Sequence, residues 1–216
     1  MSKIQKALDR LSGILPLYEN QQKMSASGID LHRAVLRGFV DDGAMPGRVK
    51  LLDLAGGDET LLQELENSRT VVFDDNGEPI GAYPFTKDKR DHRVTVNGHT
   101  VHAMCALDAL SVHPMYRLPV EVNSVCAVTA RPIRIVQENG RLMNSVAEDV
   151  HVGINWSAAS SCCSCADSLC TEMLFLSDKP TAEEWLAEDP VGREIFTLNE
   201  ALSFGSRFFV PLVEAA

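Results

Sequence analysis

The sequence predicts an α+β protein, with a helical, winged-helix-like N-terminal region over residues 1–86 and a core of antiparallel sheets with flanking helices over 87–216. Three observations predict it. Apolar residues recur at helical spacing through the first third of the chain, short β-branched runs alternate with Asn-Gly turns through the middle, and two helical patterns close the C-terminal part. An apolar content of 45% in 216 residues supports a sizeable core.

Residues 3–15 read as a helix ended by Pro16, followed by a polar loop through Ser27-Gly28. A second helix over 29–40 carries Leu31, Val35, Leu36 and Phe39, and Asp41-Asp42-Gly43 closes it. Pro46 fits the first turn of a helix running to Leu54, and Asp58 fits the N-cap of another carrying Leu61, Leu62 and Leu65. Val71-Val72-Phe73, the turn Asp74-Asp75-Asn76-Gly77 and residues 80–85 make a hairpin. The last three of these helices and the hairpin give the winged-helix expectation. A recognition helix here would carry Glu59, Glu64 and Glu66 toward phosphates, so packing against the second half is the better role.

The charged stretch 87–92 is the expected boundary. Beyond it Val94-Thr95-Val96, Asn97-Gly98 and Thr100-Val101 form a tight hairpin whose outgoing strand leads into Cys105. Strands are expected over 120–122, 125–128 and 133–136, then after Asn139-Gly140 around Val146, over 150–154 and over 173–176. A helix opens at Pro180, with Thr181 as N-cap and Glu184 completing a capping box, and an amphipathic helix over 198–209 comes last.

A formal charge of −10 and a pI near 5.0 argue against a protein that coats nucleic acid or an anionic membrane. The chain opens without the apolar core of a secretory signal, and no run reaches the ~18 apolar residues of a membrane span. The expected location is the cytoplasm, where six cysteines point to metal binding or thiol chemistry rather than to disulfides.

Two constellations could carry chemistry. In Met104-Cys105-Ala106-Leu107-Asp108-Ala109-Leu110 a thiol and a carboxyl three positions apart share one helix face inside an apolar run, close enough to exchange a proton. A carboxylate raises a neighbouring thiol's pKa, so the pair suits proton transfer better than it suits a free nucleophile. The plainer alternative is a buried Cys packing as a small hydrophobe, beside an Asp that caps a helix or pairs with Arg117. The second constellation is Cys162, Cys163, Cys165 and Cys170, four thiols within nine residues, whose soft sulfurs select Cu(I), Zn(II) or Hg(II). A structural zinc site is the alternative here, but no second close-spaced Cys/His pair completes it. Cys126, His102, His113, Trp156 and Trp185 read as packing residues.

Cys-Ala-Leu-Asp-Ala-Leu at 105–110, Cys126, and Cys170 ten residues before Pro-Thr-Ala-Glu-Glu-Trp at 180–185 resemble alkylmercury lyase, the organomercurial lyase of bacterial mercury resistance. The resemblance implies a mixed α+β fold and protonolysis of R–Hg bonds to a hydrocarbon and Hg(II). It implies that Cys105 and Cys170 bind mercury, that Asp108 transfers the proton and that Cys126 is structural. It implies no organic cofactor, a need for external thiols, and a thiol carrier or mercuric reductase as acceptor of Hg(II). Where that family carries aromatic residues before the first thiol, this chain has His102 and Met104, which bears on the shape of the pocket. Thr171 follows Cys170, and Cys162, Cys163 and Cys165 are additional thiols expected to relay or hold Hg(II). The competing expectations are a non-catalytic soft-metal binder or metallochaperone, which would not need Asp108, and a winged-helix metal-responsive regulator, which the acidic balance disfavours.

Overall fold

Five helices come first in the computed structural model, which describes residues 1–144, 149–159 and 165–214: α1 (Lys3–Ile14), α2 (Leu17–Gln22), α3 (Ala26–Asp41), α4 (Arg48–Leu54) and α5 (Glu59–Ser68). Side chains at their N-termini set several boundaries. Ser2, Ser25 and Asp58 accept the backbone N–H groups of Gln5, Gly28 and Thr60, which the first turns would otherwise leave unpaired. The expected loop over 16–28 is instead α2 and the first turn of α3. Buried Leu17 and Gln21 tie α2 inward, and Gln21 Nε2 donates to Leu212 O at 2.9 Å, a tertiary anchor that local polarity hides. Pro46 precedes α4 instead of opening it, because Gly47 is the N-cap.

Antiparallel strands build the rest. One sheet of eight runs in the order β1-β2-β3-β5-β4-β6-β7-β8 and includes strands on both sides of residue 86. Its members are β1 (Val71–Phe73), β2 (Pro79–Ala82), β3 (Phe85–Thr86), β4 (Arg93–Val96), β5 (His99–Ala103), β6 (Val120–Val125), β7 (Pro132–Glu138) and β8 (Arg141–Leu142). The β4–β5 and β7–β8 turns carry Asn97-Gly98 and Asn139-Gly140 at positive φ, the backbone that a twisted two-residue hairpin requires. A second sheet, β10-β9-β11, joins β9 (His151–Asn155), β10 (Met173–Leu176) and β11 (Arg193–Thr197). The α+β expectation holds.

The strand expectations over 120–122 and 125–128 are corrected. Residues 120–125 form one strand, and the chain turns after Cys126, whose carbonyl accepts the Ala130 N–H at 2.9 Å while the Ala127 N–H leaves the ladder for Phe175 O at 3.0 Å. The expectation at Val146 lies outside the described residues.

Three more α-helices follow among the described residues: α6 (Ala106–Tyr116), α7 (Lys179–Ala187) and α8 (Leu198–Phe209). The cap of α7 is Asp178 rather than Thr181: its carboxylate accepts the Thr181 N–H at 2.9 Å. The capping box belongs to α8, where Thr197 and Glu200 satisfy each other's backbone groups. Helix α6 is buried along almost its whole length and packs on α8, β5, β6 and β10. At the α6–α8 crossing Gly205 sits so close to Ser111 Oγ and Leu107 that no side chain fits, and Ser111 turns its hydroxyl back to Leu107 O at 2.7 Å. No helix among the described residues is long and apolar enough to cross a membrane.

Candidate active site

Cys105 is the N-cap of α6. It leaves β5 in extended backbone, and its Sγ accepts the Asp108 N–H at 3.3 Å, the position a serine hydroxyl would take in a more ordinary cap. The expected proximity of Cys105 and Asp108 therefore comes from the cap itself, with the sulfur just outside the first turn and the carboxyl within it. The hydrophobic surroundings are the rest of α6 and the strands beneath it, which leave Cys105 1% and Asp108 2% exposed.

Cys170 arrives from the other sheet. A 3-10 turn over Leu169–Glu172 runs straight into β10, whose pairing with β9 and contact with α6 set the turn against the N-terminus of that helix. As a result Cys105 Sγ, Cys170 Sγ and a carboxylate oxygen of Asp108 lie within 4.8 Å of one another, all buried. The structure thus brings together the three residues singled out in sequence as the central site. Cys165 stands next to them, with its Sγ 3.6 Å from Cys170 Sγ. Cys162 and Cys163 lie outside the described residues.

Two contacts went unread in the sequence. Met173 Sδ is 3.6 Å from Cys105 Sγ, so a thioether backs the first thiol. Tyr83 is buried beside Cys170, Cys165 and Asp108, and its hydroxyl oxygen accepts the Ala166 N–H at 3.0 Å. Met173 stands three residues beyond Cys170 and could have been flagged for its soft sulfur. Nothing local marks Tyr83, whose hydrogen-bond partner Ala166 is 83 residues away.

Burial dominates the electrostatics. It pushes the Cys105 thiol up to about 12, further raised by the Asp108 charge, while hydrogen bonding from Cys170 acts the other way. Cys170 is raised well above the ordinary thiol value, first by its hydrogen bonds with Cys105 and Cys165 and then by burial. Burial lifts Asp108 to about 7 against the lowering effect of its hydrogen bonds with Cys105. Asp108 Oδ2 has no hydrogen-bond partner among the described atoms. The alternative pairing with Arg117 does not occur: that residue is the left-handed C-cap at the opposite end of α6. At neutral pH the site therefore holds two protonated thiols and a carboxyl poised to take or give one proton.

The remaining candidates serve packing. His102 Nδ1 lies 2.8 Å from Arg90 O, and His113 bridges Leu118 O at 2.6 Å and the Gly140 N–H at 3.0 Å. Cys126 Sγ accepts the N–H groups of Ser177 and Thr129 at 3.3 and 3.5 Å, which ties the β6–β7 turn to the end of β10. Met104 is buried, and its terminal methyl packs where a side chain on Gly81 would have to go.

Such a site can grip a soft, two-coordinate metal between sulfurs and move a proton in the same small volume. Comparison with known proteins points the same way. The family model described as MerB: Alkylmercury lyase matches residues 85–210, more than half of the chain. Curated proteins named alkylmercury lyase from Bacillus cereus and Clostridium butyricum are each 28% identical over 147 residues, 68% of this chain. One from Staphylococcus epidermidis is 26% identical over the same length. The chain spans 66% of the length of these relatives, just under two thirds. Among solved structures, the mercury-bound form of MerB2 superimposes with a TM-score of 0.74 at 22% identity, covering 93% of this chain and 98% of the other, so the fold is shared.

Proposed function

The chain belongs to the alkylmercury lyase family, and from that premise we propose that it cleaves the carbon–mercury bond of alkyl and aryl mercury compounds by protonolysis. The observation that carries the proposal is the convergence of two buried sulfurs and one proton-bearing carboxyl within 4.8 Å. Breaking a C–Hg bond requires a proton at carbon while sulfur donates electron density to mercury, and these three side chains supply both.

The steps follow from the protonation states. Cys105 and Cys170 keep their protons at neutral pH, so each thiol must lose one as its sulfur meets mercury. Asp108, lifted to about 7, is an acceptor matched to that task. The first sulfur displaces the counter-ligand of R–Hg–X, the second sulfur joins, and Asp108 hands a proton to the carbon. Of the two thiol protons displaced, one ends in the R–H bond and the other leaves with X. Mercury stays behind as a dithiolate, a soft ion on soft ligands. The apolar walls formed by α6 and β10 favour a lipophilic R group and, once Asp108 has taken the thiol proton, hold it neutral until it hands that proton to the carbon. Substrate, two thiols and one carboxyl account for every atom, so the reading needs no organic cofactor. Turnover needs an acceptor for Hg(II), either free thiol, a thiol carrier or a mercuric reductase.

The test is incubation of the protein with phenylmercury and excess monothiol, with benzene measured by gas chromatography. Benzene from the intact protein and none from Asp108→Ala, with Hg(II) binding preserved in the variant, is the expected result. If the intact protein binds mercury but releases no benzene, it is a soft-metal binder and the lyase reading is wrong.

A further inference from the structure

Cys165 is a third sulfur beside the two at the centre, and the reaction as proposed does not use it. Its Sγ lies 3.6 Å from Cys170 Sγ but outside the Cys105–Asp108–Cys170 cluster, so Cys170 is the neighbour common to both thiols. Its place is built. Cys165 begins a 3-10 turn over Cys165–Asp167, and the next backbone N–H, that of Ala166, is held at 3.0 Å by the hydroxyl of Tyr83, a side chain only 2% exposed. Exposure also rises from 1% at Cys105 through 3% at Cys170 to 9% at Cys165, so Cys165 is the most exposed of these three residues.

We propose that Cys165 and Cys170 form a second two-sulfur position for Hg(II), onto which the ion moves from the Cys105–Cys170 pair on its way out. Two-coordinate mercury changes partners one sulfur at a time, and a shared middle ligand lets it shift without ever being free. In this step a bond from mercury to Cys165 Sγ forms and the bond to Cys105 Sγ breaks. The proton leaving Cys165 ends on Cys105, and no element changes oxidation state. Cys105 is thereby returned as a thiol beside Asp108, ready for the next organomercurial, while the product waits nearer the surface for an external thiol. The proposal takes its source of Hg(II) from the lyase reading, but the position itself can be tested without turnover.

The test starts from a chain carrying Cys105→Ser, Cys162→Ser and Cys163→Ser, loaded with one equivalent of Hg(II). Mercury-edge X-ray absorption should show two sulfur neighbours. Adding Cys165→Ser should weaken Hg(II) binding in competition with glutathione by at least about 100-fold, the loss expected when one of two thiolate ligands goes. One sulfur and one light atom in the starting variant, or equal affinity with and without Cys165 in chains of matching circular dichroism, would overturn the proposal. The absorption measurement keeps Cys165 in place and so decides the matter even if the fourth substitution impairs folding. Absence of benzene from the unaltered protein, by contrast, would count against the lyase reading alone.

Discussion

Cys105 and Cys126 are both 1% exposed, and each sulfur accepts a backbone N–H, yet their surroundings drive them in opposite directions. Around Cys105 burial wins and the thiol rises to about 12; its nearest functional groups are other sulfurs and a carboxyl. Around Cys126 burial also pushes upward, but hydrogen bonds from Thr129, Ser177 and Val128 outweigh it and bring the thiol down to about 7. The more easily ionised sulfur is thus the one outside the Cys105–Asp108–Cys170 cluster. In the proposed reaction, delivery of a proton to carbon benefits from thiols that keep their protons until mercury displaces them. A sulfur stabilised by N–H groups is instead a structural knot, here between the β6–β7 turn and the end of β10.

The sharpest way to break this comparison is substitution. Cys105→Ser is expected to lower benzene formation by about 1000-fold or more, within the range for losing a group that acts in the transition state, while Cys126→Ser stays within about threefold. Equal losses from the two, measured on folded protein, would erase the distinction.

A second effect separates the regions through pH. Folded Asp108 keeps its proton up to about 7, whereas an unfolded aspartate loses it near 3.8. The folded state therefore gains stability from this group below that lower value and loses it as pH climbs toward 7. Asp108→Asn should remove this decline, so that urea midpoints of variant and parent diverge between pH 4 and pH 7, with the variant higher at the upper end. Parallel curves would mean the carboxyl is not held neutral.

Cys126 should show the reverse slope. Its folded thiol ionises near 7 against an ordinary 9, so stability from this group is present above 9 and is lost as pH falls through 7. Cys126→Ala should flatten the rise between pH 7 and pH 9. It should also cost about 1–3 kcal/mol in urea unfolding, since the Thr129 and Ser177 N–H groups lose their acceptor. The smallest effect is expected at His102, a packing histidine on β5: His102→Ala should leave benzene formation unchanged, and a large loss there would extend the site beyond the sulfur cluster.

Much of the architecture was legible where local chemistry decides it. Asn97-Gly98 and Asn139-Gly140 announce hairpins because few other residues accept positive φ, and Asp58 announces a helix because its carboxylate pairs with the N–H of Thr60. Misreadings arose where distant groups intervene. Residues 17–22 look like a loop until Gln21 is seen bonded to Leu212, and residues 126–128 look like a strand until the Ala127 N–H is seen bonded to Phe175 O. At α7 the expected cap, Thr181, already lies inside the helix, because Asp178 three residues earlier has the extended backbone of a cap and accepts the Thr181 N–H.

The candidate site divides in the same way. Spacing alone put Cys105 beside Asp108, because an N-cap and the third residue of its helix are always neighbours, and composition alone pointed to soft-metal chemistry in four closely spaced thiols. Only the tertiary structure decided that Cys170 reaches Cys105, that Cys165 stands behind it, and that Tyr83 and Met173 close the surroundings. The reason is physical: those meetings depend on how the β9–β10–β11 sheet packs on α6, and packing sums weak contacts from the whole chain that no short window of sequence contains.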